Sequence, residues 1–246
     1  MNELDMLVTK YETEDFIKDD PIQFPHRYKD SQDIELAAFI ASIFAYGNRQ
    51  VFIKKLNELF LIMDNKPLEF VHNAEFKNLK GFNYRFAKDI DVIEVFKILN
   101  TLYKKDNGLK SLFEYGWNLH HQIYPMFQTV TDYFYSRVSA EVGQGFYHLI
   151  PNPANNGTMK RMNMLLRWLV RDGNVDLGIW NFIPKSKLLI PMDVHVARIS
   201  RDMGLLNRKS NDIRAVFELT ENLKKFDNKD PIKYDFAMFG KGVNTK

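Results

Sequence analysis

Cysteine is absent from this 246-residue chain. That single absence removes disulfides, thiolate nucleophiles, Cys-ligated zinc and iron–sulfur clusters together. The six histidines are scattered, and only His120 and His121 are adjacent. Neighbouring helical residues point to different faces, so this pair does not make a metal site, and neither metal nor cofactor is expected. Also missing is any apolar run near the roughly 20 residues that a membrane span needs. The N-terminal stretch MNELDMLVTKYETEDF is acidic and has no apolar signal core, so a cytoplasmic protein is expected. No repeat and no low-complexity tract interrupts the chain.

What is present is apolar and ring-rich. Hydrophobic residues make up 45% of the chain and charged ones 26%, enough for a substantial core in one or two domains. The formal net charge of +3 permits nucleic-acid binding without arguing strongly for it. With 20 Phe and 11 Tyr, the core is rich in rings, and some of them could stack on a ligand.

Helical periodicity dominates throughout, and no alternating β-branched run competes with it. Asp33 reads as the N-cap of IELAAFIASIFAY, a segment apolar nearly all round and therefore buried on most sides. Further helices are expected over about 51–63, from Pro67, and over 88–103, 109–115 and 121–138. The stretch from Gly143 to Gly157 is the least regular, and MKRMNMLLRWLVR then opens a helix with mixed basic and apolar faces. The expected fold is all-α with roughly ten helices.

The stretch around which the chain is organised is LLIPMDVHVARISRDMGLL, Leu188 to Leu206. Asp193 stands at the mouth of an amphipathic helix whose inward side is expected to carry Val194, Val196, Ala197, Ile199, Ser200 and Met203. Helix N–H groups and the positive dipole end favour an anion there, so Asp193 is expected to be ionised at neutral pH. His195 and Arg198 lie within about one turn of it.

IPMDVHVARISRDMGL resembles the catalytic-aspartate segment of the helix-hairpin-helix (HhH-GPD) DNA glycosylase superfamily. The whole chain also resembles a bacterial family of uncharacterised proteins carrying AYG-x-R, F-x-YR, KR-x-N-x-x-LRW, IPxDxH and DPxKYDFAxFG. Among the glycosylases the chain looks most similar to the archaeal GO branch, which acts on 8-oxoguanine. The specific likeness covers about the last 90 residues. The hairpin with its Leu-Pro-Gly-Val-Gly loop is missing, and RDGNVDLGIWNF stands in its place, so the motif is degenerate or lost.

The resemblance implies two helical lobes flanking a cleft, one spanning 31–188 and the other joining 1–30 with 189–246. It implies that Asp193 stabilises positive charge at a sugar C1′ and that Lys160, in Thr158-Met159-Lys160-Arg161-Met162, is a Schiff-base nucleophile. Lys160 would approach from the first lobe and Asp193 from the second. Asp235 would read an everted base, Phe239 one turn later would stack on it, and Met164 would line the pocket. DNA contacts are expected from Asn48, Arg49, Gln50, Arg161, Arg167, His195 and Arg198, with Arg171 a further phosphate candidate. Phe82, Tyr84 and Arg85 form a ring-plus-cation trio that suits nucleic acid. The implied function is excision of an oxidised purine, with or without strand cleavage. A non-catalytic nucleic-acid-binding protein on the same scaffold, and an enzyme that processes free nucleosides or nucleotides, are the alternatives.

Overall fold

A computed structural model describes residues 3–244, apart from the side chains at 239, 240 and 242–244. The described residues are all-α. Their helices are α1 (Glu3–Tyr11), α2 (Glu14–Ile17), α3 (Ser31–Phe44), α4 (Arg49–Ile62), α5 (Pro67–Asn73), α6 (Asp89–Lys105), α7 (Gly108–His120), α8 (Ile123–Tyr135), α9 (Gln144–Leu149), α10 (Lys160–Val170), α11 (Val194–Asp202), α12 (Ile213–Lys224) and α13 (Asp235–Asn244). Among these residues no strand forms, and β-type pairing is confined to two isolated bridges. None of these helices is long and apolar enough to cross a membrane.

Residues 23–153 form one compact unit, and residues 1–22 with 154–246 form another. Within the first, α3 is buried from Ile34 to Phe44, as its nearly all-round apolar sequence dictates. Its Phe39 ring stacks on Phe134 of α8 with centroids 5.7 Å apart. The cap of α3 differs from expectation. Asp30 is the N-cap and accepts from the Gln32 and Asp33 N–H groups, while the Asp33 carboxylate accepts from Leu68 N–H at the start of α5. Two aspartates three apart both suit a cap, and the distant N–H decides which is used. The irregular stretch after Gly143 also holds α9, whose Gly145 sits so close to Asp91 and the Phe86–Ala87 backbone that no Cβ fits.

In the other unit, α11 and α1 both pack on α13. The apolar run before α11 is buried at Leu188, Ile190 and Met192. The sequence reading assigns 154–188 to the middle lobe, whereas this segment clusters with the terminal segments. The physical reason is α10. Its Arg167 and Arg171 form ion pairs with Glu12, Asp230 and Asp235 from both ends of the chain. Lys160 and Asp193 therefore belong to the same unit rather than to different lobes.

Candidate active site

Asp193 owes its position to backbone chemistry. It takes extended dihedrals at the N-cap of α11, and its Oδ1 accepts from His195 N–H and Val196 N–H, both at 2.9 Å. That satisfies two of the first-turn donors. The same geometry leaves Oδ2 for Lys160, whose Nζ lies 3.1 Å away. The two side chains are 30% and 16% exposed, Lys160 first, so the pair is sheltered without being sealed. Burial pushes the Asp193 carboxyl up. The Lys160 charge, the Val196 N–H and the His195 ring outweigh that burial, and the net result lies below the usual carboxylate value.

Lys160 is the first residue of α10. Before it, Met159 takes a left-handed φ of 49°, uncommon for a residue with a side chain, and its side chain is buried. No side chain caps α10. From Lys160, helical spacing carries a polar stripe down through Asn163, Arg167 and Arg171. This stripe faces inward. Arg167 is 4% exposed and pairs with Asp176 at 3.2 Å and with Asp235 at hydrogen-bond distance, while its guanidinium lies over the Phe236 ring at 3.9 Å. Arg171, also buried, reaches Asp176 at 2.9 Å, Asp230 at 2.8 Å and Glu12.

Asp235 links this network to the Lys160–Asp193 pair. Burial pushes its carboxyl up to about 6, the Asp193 charge adds to that, and the charges of Arg167 and Lys160 oppose it. Asp235, at the start of α13, thus feels charges from α10 and from the N-cap of α11. Asn163 is 1% exposed on the same stripe, and its Nδ2 donates to Thr158 O at 3.0 Å. Its Oδ1 is buried and accepts no hydrogen bond among the described residues.

The structure brings Lys160, Asp193 and Asp235 together and corrects other expectations. Arg167 and Arg171 are structural cations rather than phosphate contacts, because their guanidinium groups are buried and paired with carboxylates. Met164 is on α10 one turn after Lys160 and is 6% exposed. Trp168 is core, fully buried. The Phe239 side chain lies outside the described residues. His195 and Arg198 are exposed on the outer side of α11, and Arg161 is half-buried beside Lys160. Val194, expected on the inward side, is exposed instead (66%), because as the first residue of α11 it precedes the turn that packs inward.

In the unit of residues 23–153, Asn48 is the N-cap of α4, accepting from Val51 N–H at 3.2 Å. Asn48 and Gln50 are exposed and Arg49 is half-buried. Of the ring-plus-cation trio, Phe82 and Tyr84 are buried, which excludes them from stacking on a ligand. The exposed ring is their neighbour Phe86 (58%), at the tip of a two-residue turn closed by reciprocal Tyr84 and Ala87 backbone bonds. Sequence reasoning missed Asn163 and Asp176. The first lay inside the KR-x-N motif without a role, and the second had no local signal of its partners. Among the described residues no group of three or more His, Asp or Glu is arranged to hold a metal ion.

A family model described as a protein of unknown function (DUF2400) matches residues 20–244, and the chain belongs to that family. No curated protein and no solved structure matches it.

Proposed function

We propose that this member of the family is a DNA glycosylase with associated lyase activity, acting on an oxidised purine such as 8-oxoguanine. The observation that carries the reading is the 3.1 Å approach of Lys160 Nζ to Asp193 Oδ2 in a partly open setting. An amine and a carboxylate far apart in sequence are brought together at the first turns of two helices. The likeness of IPMDVHVARISRDMGL to the glycosylase aspartate segment points the same way.

The chemistry follows from the two groups. An everted nucleotide presents C1′, which gains positive charge as its bond to the base N9 stretches. The Asp193 carboxylate, fixed by two N–H groups, stabilises that charge without reorganising. Lys160, after giving up a proton to solvent, attacks C1′. The C1′–N9 electron pair leaves on the base, which takes up a proton. The C1′–O4′ bond then opens with a proton going to O4′, and an iminium joins Lys160 to C1′. Loss of a C2′ proton expels the 3′-phosphate and cuts the strand. Arg198, His195 and Arg161, all close in sequence to the pair, are the proposed contacts to the phosphates of the bound strand.

The test is strand cleavage and base release on duplexes carrying 8-oxoguanine, comparing wild type with Lys160→Gln and Asp193→Asn. Wild type is expected to do both and Lys160→Gln neither. Binding of the duplex without base release on any oxidised purine would replace this reading with that of a non-catalytic binding protein.

A further inference from the structure

We propose that Asn163 is a specificity-determining residue of the same site, its side-chain carbonyl accepting an N–H from the everted base. The inference rests on the glycosylase reading and deepens it.

A buried acceptor without a donor is costly, because it has given up water for nothing. Asn163 Oδ1 is such an atom, in a side chain 1% exposed whose amide nitrogen is already committed to Thr158 O. Its place on α10 gives the atom meaning. Asn163 is one turn after Lys160 and one turn before Arg167, on the face those two share. Above it is the Lys160–Asp193 pair, and below it the Arg167–Asp235 pair. The cations of this stripe, Lys160, Arg167 and Arg171, are each paired with a carboxylate, whereas the Asn163 carbonyl accepts nothing among the described residues. A group reaching it must be an N–H or O–H donor.

A base entering beside Lys160 is recognised here by what it donates. 8-Oxoguanine offers N1–H, N7–H and an exocyclic amine, whereas guanine lacks the N7–H. A site that requires a donor rejects a base lacking it far better than an apolar pocket rejects a small change in shape.

The test is a cycle between protein and ligand, using single-turnover excision by the full chain from duplexes. The bases are 8-oxoguanine, guanine (no N7–H), 8-oxohypoxanthine (no amine) and 1-methyl-8-oxoguanine (no N1–H). The proteins are wild type and Asn163→Leu. Wild type is expected to lose about tenfold or more on one of the three analogues, a hydrogen bond's worth. Asn163→Leu, already slower on 8-oxoguanine, is expected to lose nothing further on that analogue. If Asn163→Leu does not fold, Asn163→Ala, smaller and without a side-chain acceptor, replaces it in the same cycle. Equal losses in both proteins on all three analogues overturn the inference. Absence of a Lys160-dependent borohydride adduct on an abasic duplex sinks the glycosylase reading and this inference with it. An adduct accompanied by equal losses overturns this inference alone.

Discussion

Replacing Asp193 with Asn separates its two duties. An asparagine caps a helix nearly as well as an aspartate, so the bonds to His195 N–H and Val196 N–H survive. What disappears is the negative charge 3.1 Å from Lys160 Nζ. A unit charge about 4 Å from a developing cation is worth roughly 4 kcal/mol at the effective dielectric of about 20 that suits sites near a protein surface. Asp193 is 16% exposed, so solvent screens part of that, and about 3 to 4 kcal/mol is a fair expectation. This corresponds to a loss of roughly 10² to 10³ in the rate of base excision. Asp193→Ala loses the cap as well, about 1 kcal/mol of stability, or some 2 to 4 °C in Tm for a chain this long. The assay is single-turnover excision beside thermal unfolding for both variants. Excision by Asp193→Asn within threefold of wild type would refute the claim that the carboxylate charge, and not the cap, is what the site uses.

Arg167→Met removes a cation shared by two buried carboxylates and is expected to cost about 3 to 5 kcal/mol, read from denaturant unfolding. Arg198→Ala, on an exposed position, is expected to leave stability within about 0.5 kcal/mol while lowering the salt dependence of duplex binding by about one unit of slope. Asp235 is pushed up to about 6 from an ordinary value of 3.8. A raised carboxyl contributes stability when protonated and loses it as pH rises through the folded value. Wild type is therefore expected to lose on the order of 3 kcal/mol relative to Asp235→Asn between pH 4 and pH 7, a difference checked by unfolding both at each pH. Asp193, lowered, has the opposite sign: its contribution is present above the ordinary value and fades as pH falls below it.

How much of this was legible in the sequence depends on how local the cause is. Asp193 could be read from a few residues, since a cap needs only an extended residue before an amphipathic run. Pro67 opening α5 is legible for the same reason. Asp30 was missed in favour of Asp33 because the decision belongs to Leu68 N–H, far along the chain. Arg167 looked like a surface cation because arginines usually are, and nothing near it announces Asp235 or Asp176. The same distance hid the attachment of α10 to the terminal segments, which rests on Glu12, Asp230 and Asp235. The left-handed Met159 just before Lys160 has no sequence signature, since glycine or asparagine would be the usual choice there.

Glycosylase–lyase chemistry at this site is decided by which amine becomes bonded to the sugar. Borohydride reduction of wild type with an abasic-site duplex, followed by peptide mapping of the adduct by mass spectrometry, identifies that amine. The modification is predicted on Lys160 and absent from Lys160→Gln. A sugar adduct on Lys185, Lys187 or any other amine, undiminished in Lys160→Gln, would contradict it.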